Sequence, residues 1–286
     1  MPLMAVLGVG CNNNDDNAFD PNQIRVEASL PQTRATATAF EEGDVMSLYA
    51  VEYDGETVAP LQISGNYLNN EAMAYNGTQW NGSRALYWSA NPCDFYAFYP
   101  YREPTSVEEW YFEVATDQDS AESEGLLGGY EASDLMWAKA EKVAQSDGAV
   151  QLQFKHMLSR VVVEIVKGEN YEGELPEEIV THLYNTATTA KVDLVGGTLE
   201  KYHYSPNKTI NMRRVDADTF DAIVVPQFIE RSTPLVEITM EGIAYLLNYS
   251  MSFRPGYQHT ITVTLNTSPD QEKIEIEIEG DVDDWE

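Results

Sequence analysis

The stretch Leu158-Ser159-Arg160-Val161-Val162-Val163-Glu164-Ile165-Val166 is a near-continuous apolar run that Arg160 and Glu164 interrupt. Its β-branched side chains favour a strand. A strand with one solvent face alternates apolar and polar residues, whereas a continuous apolar run is typical of a strand buried on both faces. We therefore expect residues 158–166 to form a central strand of a sheet.

Strand patterns precede and follow this run. Turn signals such as Asp54-Gly55, Asn76-Gly77 and Asn81-Gly82 separate several of them. The predicted strands cover residues 24–30, 45–52, 84–89, 95–99, 150–154, 190–195, 220–225, 236–240, 244–251, 260–265 and 273–279. Short helices are suggested only at residues 107–114, 131–142 and 177–183. This pattern lacks the alternation of strand and helix that builds parallel sheets, so it predicts an all-β chain of antiparallel sandwiches with few short helices.

Chain length sets the number of sandwiches. One sandwich takes about 100 residues or somewhat more, so the roughly 260 residues after a polar N-terminal segment make two in tandem. The charged, Gly-containing connector at residues 167–176 is the predicted boundary. We expect a signal and flexible tether at 1–23, an N-terminal sandwich at 24–168 and a C-terminal sandwich at 169–286.

The charge balance excludes one class of partner. The chain has 17 Lys plus Arg against 47 Asp plus Glu, a formal net charge of −30. A protein this acidic is repelled by phosphate backbones, so we expect no nucleic-acid binding. The acidity either serves solubility or forms a surface for cations or basic partners.

The N-terminus reads as a lipoprotein signal. The uncharged, mostly apolar residues 1–10 are too short to span a bilayer, and Cys11 follows them before an Asn- and Asp-rich segment. We predict that Cys11 is lipidated and becomes the first residue of a surface-tethered protein; an ordinary secretory signal is the alternative. Cys93 then has no intramolecular partner, and we expect it to be a buried structural thiol.

Several short motifs occur in an order that resembles the fimbrillin-like (Mfa-like) family of surface lipoproteins, the subunits of type V pili. The lipoprotein start, Thr33-Arg34-Ala35 and the closing Asp284-Trp285 also resemble that family. The ordered motifs are Phe98-Tyr99-Pro100-Tyr101, Phe154-Lys155-His156-Met157-Leu158-Ser159-Arg160-Val161, Val224-Val225-Pro226-Gln227 and Phe253-Arg254-Pro255-Gly256-Tyr257. The resemblance implies two transthyretin-like β-sandwich domains. It also implies assembly by strand exchange after an arginine-specific protease releases the first strand.

The sequence contains matching parts for such an exchange. The first predicted strand alternates, with Ile24, Val26, Ala28 and Leu30 on one face, and Arg34 follows it in a small-residue segment. Arg34 is either the processing site or an unprocessed linker residue. The last predicted strand places three isoleucines on one face and glutamates on the other. Those isoleucines, Ile274, Ile276 and Ile278, either donate to a neighbouring subunit or close their own sandwich.

No enzyme motif is visible. The four histidines (His156, His182, His203 and His259) are scattered singly, and no nucleophile elbow or P-loop occurs. We expect no catalytic residue, no cofactor and no metal site, and we expect His156 to be a packed, hydrogen-bonded side chain. The aromatic residues crowded between positions 87 and 111 are interpreted mainly as core, although aromatic platforms also bind sugars.

The resulting hypothesis is a structural or adhesive subunit of a bacterial surface pilus. The chain ends soon after its last strand, which favours a tip, anchor or accessory role over a stalk role. Its expected partners are other pilus subunits, joined by β-augmentation, and a host or microbial surface protein or glycan. It is expected at the cell surface, as an outer-membrane lipoprotein or in a fimbrium, with a lipid as its membrane link. The alternative is a monomeric glycan-binding surface lipoprotein, in which Trp88 or Trp110 contacts the sugar.

Overall fold

The computed structural model describes residues 20–30, 40–123, 125–267 and 276–285. Within them the chain is almost entirely β-structure, with one short helix, α1 (Gly129–Ser133), and a 3-10 turn at Gln145–Asp147. The first strands are β1 (Val26–Ser29), β2 (Val45–Asp54), β3 (Thr57–Val58), β4 (Leu68–Tyr75), β5 (Trp80–Gly82), β6 (Cys93–Tyr99), β7 (Trp110–Glu113), β8 (Met136–Val143), β9 (Val150–Gln153) and β10 (Lys155–His156). The later strands are β11 (Ser159–Lys167), β12 (Ile179–Ala187), β13 (Thr189–Asp193), β14 (Thr198–Lys201), β15 (Asn207–Asn211), β16 (Arg213–Arg214), β17 (Thr219–Val224), β18 (Phe228–Ile229), β19 (Pro234–Met240), β20 (Ile243–Asn248), β21 (Met251–Ser252), β22 (Tyr257–Leu265) and β23 (Ile276–Asp284).

The N-terminal sandwich is built on an antiparallel sheet in the order β10-β8-β6-β2-β4-β5, with β3 paired to β2. A two-stranded parallel pair, β1 and β9, covers one face of this sheet. The side chains between the two layers alternate along β2 and β6, so that Met46, Leu48, Phe95 and Ala97 are fully buried there. Side chains that alternate along these strands therefore face this core, while those between them face the opposite side of the sheet.

The C-terminal sandwich packs a five-stranded sheet, β16-β17-β11-β22-β23, against a four-stranded sheet, β15-β12-β19-β20. β11 lies at the centre of the first sheet, antiparallel to β17 and parallel to β22. Val161, Val163 and Ile165 face the core, and Val162 on the opposite face is also buried. The prediction of a central strand is confirmed. Burial on both faces was wrong for the end of the strand, because Glu164 and Val166 on the opposite face are exposed.

The two sandwiches are joined by a shared apolar core. Tyr49 and Phe98 point from the other face of the N-terminal sheet into the same cluster as Val161 and Val163. β7 adds to this joint, because it pairs with β13 and buries Trp110 and Phe112 in that cluster. The chain thus forms two transthyretin-like sandwiches of the predicted all-β class. Two strand pairs, β1 with β9 and β11 with β22, are parallel.

Other expectations were wrong in detail. The suggested helix at 107–114 contains β7, the one at 177–183 lies largely in β12, and the one at 131–142 begins in α1 but continues as β8. The predicted strand at 84–89 has only an isolated bridge, between Gln23 and Tyr87. In each helical case pairing with a distant strand overrides local propensity. The predicted boundary at residue 168 remains a prediction, although β11 precedes it and pairs with β17 and β22, which follow it.

The sequence motifs meet where the sandwiches join. The Gly256 N–H donates to the Leu158 carbonyl at 2.7 Å, and the Ser159 hydroxyl donates to the Arg254 carbonyl at 2.7 Å. Gly256 has φ +74°, a conformation in which a side chain is strained. The Gln227 side chain accepts the Ala187 N–H and donates to the Ala187 carbonyl. These residues therefore satisfy backbone groups of neighbouring segments and hold the motifs together.

His259 makes the folded chain sensitive to acid. Its ring is fully buried, Nε2 accepts the Arg254 N–H at 3.0 Å, and Nδ1 has no hydrogen-bond partner among the described residues. Burial lowers the pKa of His259 to about 4, from its ordinary value of 6.5. Protonation would also place a hydrogen on Nε2, against the Arg254 N–H. The neutral ring is therefore part of the native packing.

We expect the free energy of unfolding to fall as the pH drops from 6.5 to 4. In that window the unfolded chain binds a proton at His259 that the folded chain does not, so the contribution is complete above 6.5 and lost near 4. The loss from this residue is roughly 3 kcal/mol. Urea titrations at several pH values give the free energy of unfolding at each pH. Plotted against pH, this free energy should change less steeply for His259→Gln than for the unmodified chain. Equal slopes for the two proteins would contradict the assignment.

Candidate functional site

The N-terminal strand β1 and the residue before it but one, Ile24, pack into the core of the N-terminal sandwich. Ile24 and Val26 are buried in the core between the β1–β9 pair and the large sheet, and Ala28 and Leu30 pack at its margin. Burying an aliphatic side chain of this size contributes roughly 1.5–3 kcal/mol. The four residues that the alternating pattern places on one face are thus brought together against one core.

The backbone around β1 is bonded on two sides. On one side it runs parallel to β9, with Val26 opposite Val150 and Ala28 opposite Leu152. On the other side the Ile24 N–H donates to the Leu86 carbonyl at 2.8 Å. The residues just before β1 thus bond to one segment and β1 itself to another, so removing residues 22–29 would leave unpaired backbone groups on both partners.

Side-chain hydrogen bonds also tie the β1 region to its neighbours. Gln145 Nε2 donates to the Pro21 carbonyl at 2.9 Å, and Gln151 Nε2 donates to the Glu27 carboxylate at 2.8 Å. Both contacts are at the exposed surface, where such bonds add little stability. Apolar burial and backbone pairing therefore supply most of the attachment.

Phe40 holds the chain on the far side of the segment that follows β1. Its ring lies edge-on to Trp80, Tyr99 and Phe154, with centroids 4.9, 5.5 and 5.5 Å away. Arg34 belongs to the segment between Leu30 and Phe40, which is outside the described residues. The chain is thus packed into the same core immediately before and after that segment.

A cavity of about 710 Å³ opens beside Leu30 and Phe40, where the two sandwiches meet. Most of the charged side chains that line it are carboxylates, namely those of Glu41, Asp44, Asp119, Glu122, Glu131 and Asp134. Arg160 and Arg213 also line it, but both are bonded to the fully buried Asp221, at 2.7 and 2.9 Å. Tyr130 lies under Arg213 at 3.4 Å, and burial raises its pKa well above the ordinary value of 10.

The last strand, β23, lies at the edge of the C-terminal sheet and pairs with β22 over its whole length. Ile276 and Ile278 are half-buried against the shared core. Glu277 and Glu279 point away, exposed, as the alternation predicts. This arrangement supports the alternative in which the isoleucines close their own sandwich; Ile274 lies outside the described residues.

Trp285 fastens the end of β23 to the joint between the sandwiches. Its ring stacks on His156 with centroids 3.8 Å apart and an interplanar angle of 14°, and its backbone N–H donates to the Gly256 carbonyl at 2.9 Å. His156 Nδ1 in turn lies 2.8 Å from the Asp134 carboxylate. His156 is therefore packed and hydrogen-bonded, as expected. The contact with Trp285 was not foreseen, because 129 positions separate the two residues in the chain.

The two predicted exchange surfaces do not meet within one molecule. β1 packs in the N-terminal core, whereas Ile276 and Ile278 pack against the cluster shared by the two sandwiches. Any exchange between them therefore requires two chains. Cys11, the predicted lipidation site, lies outside the described residues, as Arg34 does.

The Cys93 thiol is buried, and burial raises its pKa to about 12. A thiol held neutral in this way is a poor nucleophile. Among the described residues no group of three or more His, Cys, Asp or Glu side chains is placed to hold a metal ion. No helix in the described part of the chain is long and apolar enough to cross a membrane.

The aromatic residues between positions 87 and 111 are mostly core, as interpreted. Phe95, Tyr96, Phe98, Tyr99 and Trp110 are all buried. Of the two tryptophans proposed to contact a sugar, Trp110 is thus inaccessible. The other, Trp88, is half-buried against Phe95, with ring centroids 5.9 Å apart. Neither therefore offers the exposed ring face that the glycan alternative assigned to it.

Comparison with solved structures defines the class of fold. A candidate cell adhesion protein from Bacteroides uniformis superposes with a TM-score of 0.68 at 20% identity, over 92% of this chain and 98% of that one. A second, from Bacteroides ovatus, gives a TM-score of 0.69 at 14% identity, over 92% and 97% of the two chains. The two-sandwich architecture is therefore shared with these proteins.

The family model of fimbrillin-like proteins matches residues 33–285, and the chain belongs to this family. A candidate fimbrium subunit, Fim1C of Bacteroides uniformis, is 24% identical over 99% of this chain and 92% of its own length. A candidate fimbrium tip subunit, Fim1C of Bacteroides ovatus, is 25% identical over 57% of this chain. The match spans about a third of that relative, 34% of its length.

We expect Val26→Ala to lower the free energy of unfolding by about 2 kcal/mol, because two buried methyl groups are lost from the face of β1 that fills the core. Guanidinium titration measures the change. The matched control is Ser29→Ala, an exposed position on the same strand, which should shift the free energy by less than about 0.5 kcal/mol. Equal effects at the two positions would show that β1 is not docked as described.

We expect Trp285→Ala to destabilise the chain by about 1–3 kcal/mol, since it removes the stack on His156 and part of the apolar cover of the joint. Trp285→Phe keeps an aromatic ring and should recover at least half of that loss. Urea unfolding of the three proteins checks this. A loss as large for phenylalanine as for alanine would argue against a stacking role.

Proposed function

We propose that this chain is an adhesive subunit of a bacterial surface fimbrium that joins its neighbours by β-strand exchange. The observation that carries the proposal is the docking of residues 22–29: Ile24 and Val26 lie in the core, β1 pairs with β9, and the residues before β1 bond to residues 86–88. Membership of the fimbrillin-like family and the likeness to fimbrium subunits support a place in such a filament.

The pairing of β1 explains how a replacement strand would be favoured. β1 runs parallel to β9, and parallel pairs are slightly less stable per residue than antiparallel ones. An incoming strand that fills the Ile24 and Val26 positions recovers the apolar burial. If it runs antiparallel to β9, it also forms the stronger ladder. Exchange then needs only that the covalent link to β1 be cut.

Arg34 is the proposed point of that cut. Leu30 before it and Phe40 after it are both packed, so cleavage there would leave Phe40 in the aromatic cluster while detaching β1 from the chain. If Cys11 carries a lipid, the same cut would release the protein from its membrane anchor. Arg25 is a less accessible target, because its carbonyl accepts the Val150 N–H within the strand pairing.

The role of β23 bears on the position in the filament. Its full pairing with β22 and the Trp285 stack favour retention in its own sandwich rather than donation. We therefore place the chain at a tip, an anchor or an accessory position, where accepting a strand is sufficient. Its partners in this proposal are other fimbrial subunits, and its location is the cell surface.

Treatment of residues 12–286 with an arginine-specific protease tests the proposal. We expect one cut after Arg34, identified by intact mass. The cut protein should then bind a synthetic strand peptide or another subunit in a complex that survives a denaturing gel without boiling. The uncut protein should bind neither, because β1 is still paired with β9.

Arg34→Lys is the matched control, since it keeps the charge but removes the arginine that the protease needs. This variant should stay intact and should form no complex. Complex formation by Arg34→Lys would overturn the dependence on processing. A cut protein that never accepts a strand would overturn exchange through β1.

A further inference from the structure

A patch of exposed rings covers the outer face of the three-stranded sheet β14-β13-β7. We call Tyr111, Tyr202, His203 and Tyr204 the tyrosine platform. Tyr111 and Tyr202 have centroids 4.8 Å apart, Tyr202 and Tyr204 5.6 Å, and His203 and Tyr204 3.8 Å. Tyr204 is 74% exposed and Tyr111 49% exposed. The platform is therefore continuous and open to solvent.

The platform has no role in either core. β7 buries Trp110 and Phe112 and leaves Tyr111 on the solvent side, as alternation requires. Tyr202-His203-Tyr204 are consecutive in a turn, so the folding of the sheet cannot bury all three. None of the four residues belongs to the two core clusters. A grouped set of exposed aromatic residues marks a site of interaction.

The backbone under the platform is held firmly. The Tyr202 N–H donates to the Thr189 carbonyl at 3.0 Å, and the Ser205 N–H donates to the Tyr202 carbonyl at 2.9 Å. The Ser205 hydroxyl accepts the N–H groups of Thr188 and Thr189, at 3.2 and 3.0 Å. The rings are thus presented from a pre-organised turn, which lowers the entropic cost of binding.

Polar groups lie beside the rings. Across the three strands Tyr111 stands opposite Lys191, and Lys191 stands opposite Glu200. The Lys191 ammonium lies 2.8 Å from Glu200 and 3.7 Å from Glu109. The ammonium of Lys191 and the carboxylate of Glu200 therefore lie in the same row of the sheet as Tyr111, beside the phenol and imidazole groups of the platform.

We propose that the tyrosine platform binds a neutral glycan. A sugar ring has an apolar face of C–H groups and a rim of hydroxyls, which matches an aromatic surface bordered by hydrogen-bonding groups. Tyrosine supplies such contact area at low entropic cost. The net charge of −30 disfavours sialylated, sulfated or phosphorylated ligands. The inference rests on the proposed function for its biological setting, since it names the ligand class of an adhesive subunit.

The test exposes the purified chain to immobilised oligosaccharides. One set is neutral, ending in galactose, fucose or N-acetylglucosamine, and the other carries sialic acid or sulfate. We expect saturable binding to members of the neutral set. Tyr204→Ala and Tyr111→Ala should each weaken it at least roughly tenfold, because each removes a stacking face. Tyr204→Phe keeps the ring and should retain most of the binding.

Leu246→Ala is the matched control, because Leu246 is 54% exposed but lies on β20, in a different sheet from β14, β13 and β7. It should bind as the unmodified chain does, and thermal unfolding should confirm that all variants are folded.

Three outcomes would each overturn the proposal: the chain binds no glycan, it binds only acidic glycans, or Tyr204→Ala binds as tightly as the unmodified chain. If the unmodified chain binds no glycan and Tyr204→Ala loses the protease-dependent complex, the platform is a contact with another subunit and the glycan proposal is overturned. Failure on the glycans leaves the Arg34-dependent complex unaffected, so it is distinguishable from failure of the proposed function.

Discussion

The parallel pairing of β11 with β22 is the contact on which the rest of the molecule depends. It brings Arg160 beside Gln258, 98 positions further along the chain. Parallel neighbours need a crossover, and here the crossover contains the whole second sheet of the C-terminal sandwich. β22 in turn pairs with β23, and Trp285, just after β23, stacks on His156. The joint between the sandwiches thus follows from one central strand and its partner.

The strands that sequence predicted best are those whose burial follows simple alternation or a continuous apolar run. β1, β2, β6 and β11 are examples, because a period of two fixes which side chains face a core. The failures have a common cause. β7 and β12 lie in segments suggested as short helices, yet each is stabilised by hydrogen bonds to a strand distant in the chain. The parallel pairing of β1 with β9 could not be predicted either, because no local pattern specifies a partner 124 positions away.

For the candidate site, sequence supplied the inward face of β1 but not its surroundings. Ile24 and Val26 could be assigned to one face because they alternate with charged residues. Their surroundings depend on contacts that no spacing reveals, such as Ile24 with Leu86. The aromatic residues show the same limit. The crowded segment between positions 87 and 111 is mostly core, whereas the exposed platform combines Tyr111 with Tyr202 from a distant turn.

The contrast between β1 and β23 explains why one position, rather than any edge, is suited to exchange. β23 presents an open edge bordered by Glu277, Glu279 and Asp281, and such charge discourages pairing with another chain. The position of β1 is different, because β1 pairs with β9 and the residues just before it bond to residues 86–88. In the proposed exchange, a replacement strand would have to pair with β9 and place its alternate side chains in the core. Specific assembly and resistance to aggregation are then compatible within one fold.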